Sequence, residues 1–255
     1  MSQEKVSILI PHYKTPALLK YCLSLLKKNT PKNLAKLIVI DNDSQDESIP
    51  YLQSLEGITF IPRKTIPGET PAQSHSRALD LGMEYVDTDY VLSIHTDTLV
   101  KHPEWLEYLL KNIEKNDNIA GVGSWKLENK PLYKRILKNI ERKIQIAYYK
   151  IINKKNHHIE GIGENNYFYL RSHCALYRTD LLKNYGLIFD DNNEVAGKVM
   201  HKKLVEKGHE MIFLESKELS KYLDHINHAT MVLNPELGVG KRAIRQGLER
   251  IKKFL

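Results

Sequence analysis

A chain of 255 residues with 42% hydrophobic content is long and apolar enough to bury the core of one α/β unit without crosslinks. Its two cysteines, Cys22 and Cys174, lie far apart and in no metal-ligand spacing, which excludes a disulfide scaffold and a cysteine-type zinc site and suits a reducing cytoplasm. The formal charge of +7 is regional: residues 130–155 carry nine Lys or Arg against the single acid Glu141, and residues 241–253 carry six against Glu249. That pattern points to local contact with an anionic partner and away from a uniformly charged nucleic-acid binder. The opening MSQEKVSILIPHYK lacks the apolar core and cleavage site of a signal peptide, and no apolar run reaches the roughly 18 residues of a membrane span, so neither export nor a spanning helix is expected.

In chain order, Val6-Ser7-Ile8-Leu9-Ile10 reads as a buried strand closed by Pro11. Leu18, Leu19, Cys22, Leu23 and Leu26 then recur at helical spacing behind Thr15-Pro16, an N-cap and first-turn proline. Leu37-Ile38-Val39-Ile40 is a second strand ending at Asp41, and Ile58-Thr59-Phe60-Ile61 a third. A loop with Pro67-Gly68 and Pro71 leads to a helix near Ala72–Val86, after which Tyr90-Val91-Leu92-Ser93-Ile94 runs straight into His95-Thr96-Asp97-Thr98. Continuous apolar strands alternating with helices predict a parallel sheet covered on both faces, whose ligand sits beyond the carboxyl ends of the strands, where Asp41 and Asp97 lie. A helix from Pro103 to about Asn116 and a strand over Ala120–Trp125 follow. From Tyr133 to Ile152 an apolar stripe at steps of three and four predicts an amphipathic helix with a basic back. Cys174–Tyr177 is strand-like, and Val199–Gly208 is a helix stopped by glycine. Gly238-Val239-Gly240-Lys241-Arg242 lacks the spacing and hydroxyl of a phosphate loop, and no RNA motif accompanies the tyrosines and basic residues around 133–155.

Three ordered stretches resemble the family-2 glycosyltransferases of GT-A fold: VSILIPHYKTPALLKYCLSLL its opening strand and helix, LIVIDNDSQDES its second strand and turn, and YVLSIHTDTLVKHPEWLEYLL its metal-binding stretch. The resemblance implies a single α/β GT-A domain, a mainly parallel sheet flanked by helices. It divides the chain into a nucleotide-sugar-binding half at 1–126, a basic helical insertion at 127–157 and an acceptor-binding half at 158–255. The implied reaction is inverting transfer from a nucleotide-sugar donor to a hydroxyl of a growing glycan or lipid-linked acceptor, with Mn²⁺ or Mg²⁺ as cofactor and a bacterial surface polysaccharide as product.

The chemistry of such a donor explains the residue types. Breaking the sugar–diphosphate bond accumulates charge on the leaving phosphate, which a hard divalent ion held by carboxylate oxygens stabilises. Asp97 suits that role. The family usually has Asp-x-Asp here; this chain places His95 at the first position, as a ligand or a contact to ribose or phosphate beside Thr96. By the same resemblance Asp41 contacts base or ribose, against the alternative of an Asx-turn with Asn42, and Pro11, His12 and Tyr13 pack the base. His75 and Arg77 approach the diphosphate, a surface-helix arginine being the competing reading, and His225, then His228, adds a late metal ligand. The family's Glu-Asp base motif is not intact, which leaves Glu194 as the expected general base, followed by Asp191 and Asp190, against a solvated loop carboxylate. Two other functions compete: a decayed glycan- or membrane-binding module and a sugar nucleotidyltransferase, the latter opposed by the absence of a glycine-rich loop after strand one. The basic helix either lies on an anionic membrane surface, making the enzyme peripheral, or packs on its own domain or a dimer partner.

Overall fold

The computed structural model describes residues 4–127, 132–151, 166–238 and 241–253. The chain runs β1 (Val6–His12), α1 (Pro16–Asn29), β2 (Ala35–Asn42), α2 (Ser48–Gln53), β3 (Ile58–Arg63), α3 (Pro71–Met83), β4 (Tyr90–Ile94), β5 (Thr98–Val100) and α4 (Trp105–Ile113). It continues through β6 (Ile119–Gly123), α5 (Leu132–Ile151), β7 (Cys174–Arg178), α6 (Thr179–Asn184), α7 (Lys198–Glu206), β8 (Glu210–Phe213), α8 (Ser216–Leu219), β9 (Leu223–His225), α9 (Ala229–Leu233) and α10 (Lys241–Ile251).

Seven strands form one sheet in the order β3-β2-β1-β4-β7-β6-β8. The first four are parallel neighbours, as the alternation of apolar strands and helices predicts. β7 breaks that rule, running antiparallel to both β4 and β6, while β8 returns parallel to β6. The reversal places the start of β7, at Cys174, beside Ile94, the end of β4. Both faces of the sheet are buried. Ile8, Ile10, Val39 and Leu92 belong to one core with α1 and α4, while Leu9, Ile38, Ile40 and Val91 belong to a second with α3 and α7. α3 approaches closely through Gly82, where a methyl group would sit 3.0 Å from both Ile40 Cδ1 and Leu9 Cδ2.

Local chemistry departs from the sequence reading at several points. Thr15 stands at the N-cap of α1 but its hydroxyl does not cap; it lies 3.4 Å from His12 Nδ1. α3 starts on a capping box, in which Thr70 and Gln73 satisfy each other's backbone amides. α4 is shorter than the Pro103–Asn116 expectation because Glu104 is its N-cap and the chain turns toward β6 after Glu114. β5, which carries no periodic signal of its own, pairs with β9 in a two-stranded ribbon apart from the main sheet. Among the described residues no helix is long and apolar enough to cross a membrane.

Candidate active site

β4 ends at Ile94, and the chain turns through His95-Thr96-Asp97 into β5, the Thr98 N–H donating to the His95 carbonyl at 3.0 Å. β5 then pairs antiparallel with β9 in a register that sets Thr98 opposite His225. This ribbon brings two residues 128 positions apart in the chain, Asp97 and His225, to one point. The Asp97 carbonyl accepts from the Ile226 N–H at 2.9 Å, and its Oδ2 accepts from the Ala229 N–H at 3.0 Å. Oδ1 faces the other way, 3.3 Å from His225 Nε2 and 3.7 Å from His95 Nδ1. Asp97 is 4% exposed, and Oδ1 has no aligned hydrogen-bond donor among the described residues. His225 Nδ1 is likewise buried without a partner there.

A second layer of side chains fixes these three. Ser172 Oγ lies 3.0 Å from both His95 Nε2 and His75 Nε2. His75 meets His95 edge to face at 4.7 Å, and His173 stacks on His225 at 4.8 Å with 14° between the rings. His173 Nε2 is 2.9 Å from Ser124 Oγ. Burial acts on three of these rings. It pushes His75 down to about 4 against the pull of Asp97, and holds His95 and His173 well below the ordinary imidazole value, with neighbouring histidines adding to the effect. Burial alone would raise the Asp97 carboxyl, but His225, His95 and the Ala229 amide outweigh it and hold the group far down in its anionic form.

One buried anionic oxygen with no aligned donor among the described residues, facing the nitrogens of His225 and His95, is a donor arrangement that a divalent cation could accept. The candidate ligand atoms of His95, Asp97 and His225 all lie within 4.8 Å of one another. Two nitrogens and one carboxylate oxygen suit Mn²⁺ and other ions that accept imidazole better than they suit Mg²⁺, which favours oxygen. His75 enters as a half-buried neighbour of this cluster. His173, Ser172 and Ser124 escape the sequence reading altogether. Their signal lies in Ser172-His173 immediately before β7, which reaches the carboxyl ends of the parallel strands only because β7 runs backwards. His228 is exposed and caps α9 in a left-handed conformation, φ 60°.

The remaining predicted residues surround this centre in distinct settings. Asp41, next to last in β2, lies opposite His12 and is 1% exposed; its carboxylate accepts from the Ser44 N–H at 3.0 Å and from the Ser44 hydroxyl. The Asp41 carboxyl therefore closes its own turn, and burial, opposed by Ser44, raises its pKa. Pro11 is buried in β1, and His12 is 1% exposed, with Nε2 2.8 Å from Ser48 Oγ. Tyr13 is half-buried, with the Lys14 ammonium 5.2 Å from its ring centroid, and Thr96 is buried. Arg77 is neither a bare surface arginine nor a free phosphate contact: it donates through Nη1 to Glu69 and through Nε to Asp190, each at 2.8 Å. Arg63, buried at the end of β3, also pairs with Glu69 and donates to Asn42 at 3.0 Å.

The loop of candidate bases is pinned to α3. Asp80 accepts from the Phe189 and Asp190 amides at 2.6 and 2.9 Å, and Gln73 donates to Asn193 at 2.8 Å. Asn192 and Asn193 make the turn with φ of 57° and 55°, a conformation that asparagine tolerates. Within it Asp191 pairs with Lys203, and Glu194 with Lys198 at 2.9 Å. α3 thus carries His75 toward the histidine cluster and holds the 190–194 loop on the same helix.

Fold and site together define an α/β class of protein whose candidate site lies at the carboxyl edge of its parallel strands. The chain matches the family model described as Glycosyl transferase family 2 over residues 7–186, and it belongs to that family. Over 120 residues it is 25% identical to an uncharacterized glycosyltransferase of Haemophilus influenzae; the match takes in 47% of this chain and 36% of that protein, so it spans about a third of the relative. Among solved structures the chain is similar to the mannosyltransferase PcManGT from Pyrobaculum calidifontis in complex with GDP-Man and Mn²⁺, with a TM-score of 0.60 and 12% identity over 98% of this chain and 75% of that one. It is also similar to S. aureus TarS, with a TM-score of 0.56 and 15% identity over 98% and 72% of the two chains. Glucosyl-3-phosphoglycerate synthase from Mycobacterium tuberculosis, in complex with Mn²⁺, UDP and glucosyl-3-phosphoglycerate, gives 0.54 and 17% over 97% and 80%. At these identities the likeness establishes the fold.

Proposed function

We propose that this chain transfers a sugar from a nucleotide-sugar to a hydroxyl of a growing glycan or lipid-linked saccharide, with inversion at the anomeric carbon. The observation that carries the reading is the buried Asp97 Oδ1, without a donor among the described residues and facing the His225 and His95 rings. Asp97, His225 and His95 would hold Mn²⁺ or Mg²⁺, which when bound offsets the charge of the donor diphosphate. GDP-Man and Mn²⁺ in the P. calidifontis mannosyltransferase support the donor class and the ion. Inversion needs one displacement: the acceptor oxygen bonds to the anomeric carbon, the bond to the diphosphate breaks, and the hydroxyl proton passes to a carboxylate. Glu194 is the proposed acceptor of that proton, with Asp191 next; each exchanges its lysine partner for the hydroxyl. Tyr13 and the Asp41 turn border the place for the base, and Thr96 and Arg77 the diphosphate side. For Arg77 this requires the Glu69 or Asp190 contact to yield. The buried free thiols of Cys22 and Cys174 suit a cytoplasmic setting.

The test is isothermal titration of the metal-free chain with Mn²⁺, followed by thermal shift with UDP-, GDP- and dTDP-sugars. Native-state binding raises the midpoint by mass action, so the donor stands out from the panel. A wild-type chain that binds neither Mn²⁺ nor any nucleotide-sugar, and hydrolyses none, would instead be a decayed module.

A further inference from the structure

α5 is turned the wrong way round for a helix that belongs to a protein core. Leu137, Ile140 and Ile144, spaced by three and four residues along one stripe, are 62%, 48% and 62% exposed. Among the described side chains of the same helix the half-buried ones are Arg142 and Ile146, on the side away from that stripe, and the Arg142 guanidinium lies 5.6 Å from the ring centroid of Phe168. The helix therefore turns Arg142 and Ile146 toward the protein body and presents the stripe of Leu137, Ile140 and Ile144 outward. A contiguous apolar stripe left in water is unfavourable, and such patches mark a surface that something else covers.

Charge selects the occupant. Over Leu132–Ile151 the sequence has Lys134, Arg135, Lys138, Arg142, Lys143 and Lys150 against Glu141 alone. Two copies of so basic a helix repel, whereas an anionic lipid headgroup layer attracts both the lysines and, one layer deeper, the apolar stripe. Its 20 residues extend about 30 Å as a helix but are too polar to cross a bilayer. We infer that α5 is an interfacial membrane helix, lying in the plane of an anionic bilayer with Leu137, Ile140 and Ile144 inserted. The inference stands independently of the sugar-transfer reading.

The experiment is co-sedimentation of the full chain with vesicles of phosphatidylcholine, with and without phosphatidylglycerol, at low and high salt. Its partner is the variant Leu137→Ser, Ile140→Ser, Ile144→Ser, checked by circular dichroism, thermal unfolding and light scattering. The wild-type chain binds the phosphatidylglycerol vesicles, added salt weakens binding, and the triple variant partitions at least about tenfold less while keeping its melting temperature. The inference is overturned by absence of binding at low salt or by equal binding of the variant. A wild-type dimer that the substitutions dissociate would assign the stripe to a second copy, and a lowered melting temperature would show that it is packed within the fold.

Discussion

Asp97 gives one carboxylate oxygen to the Ala229 amide and turns the other toward two imidazoles. Asn at this position keeps an oxygen for Ala229 but offers no anion, so Asp97→Asn should unfold normally and lose most of its Mn²⁺ affinity and donor turnover; unchanged titration with Mn²⁺ would remove Asp97 from the metal set. The two imidazoles predict tighter binding of Mn²⁺ than of Mg²⁺ to the wild-type chain, which competitive titration reads directly. His173 stacks on His225 and is 2.9 Å from Ser124, which places it behind a proposed ligand. Replacing such outer residues typically costs about 10–100-fold in metal affinity, so His173→Leu should weaken Mn²⁺ binding by that order while leaving Asp97 in place. At the base, Glu194→Gln should preserve donor binding and reduce transfer roughly a hundredfold, and unaltered transfer would move the role to Asp191.

At the scale of elements, the site depends on how helices seat against their neighbours. α10 docks on α9 through Gly247, where an added methyl would lie 2.4 Å from Val232 Cγ2. Val232 is buried and its β-branched side chain has little freedom to turn away. Overpacking of this kind costs about 1–3 kcal/mol, more than the roughly 1 kcal/mol that alanine gains over glycine in a helix. Gly247→Ala should therefore lower the melting temperature by several degrees, about 2–4 °C per kcal/mol for a chain of this size, and Val232→Ala should restore part of the loss. Equal melting of Gly247→Ala and wild type would mean that α9 and α10 do not meet there. α9 carries the amide that caps Asp97, so the same substitution should also weaken Mn²⁺ binding.

For the whole molecule, the buried histidines set the response to acid. Burial lowers His12, His75 and His201 from the ordinary 6.5 to about 4, and holds His95 and His173 well below the ordinary value. Unfolding lets each take up a proton that the native state refuses, so the unfolded chain binds more protons below about pH 6.5 and stability falls as pH falls from there toward 4. Each such group adds up to about 1.4 kcal/mol per pH unit within that window. Asp41 and Asp80, whose pKa values burial raises, act in the opposite direction at the acid end. Urea unfolding of the metal-free chain at several pH values across the window should show a steep loss of stability toward acid. His201→Asn, outside the proposed ligand set, should flatten the slope by about one proton, and a flat profile would contradict the neutral state of these rings.

The amino-acid sequence by itself determined the α/β layering, because β1, β2 and β4 are apolar on both faces and the helices between them carry their own spacing and punctuation. It also determined the place of Asp97, since a carboxylate shortly after a buried parallel strand falls at the carboxyl edge of such a sheet. Asp41 was legible as a position with two readings, an Asx-turn or a ligand contact, while its engagement with Ser44 was not, because a turn's internal hydrogen bonds and a ligand contact draw on the same residue types. Only the tertiary structure decided that β7 runs antiparallel, which carries Ser172 and His173 to that edge, and that β9 pairs with β5, which sets His225 against Asp97. It also decided that Arg77 is held by Glu69 and Asp190, and that the apolar stripe of α5 faces outward. Those outcomes rest on pairings between segments distant in the chain, and strand direction and helix rotation leave no local periodic trace from which they can be read.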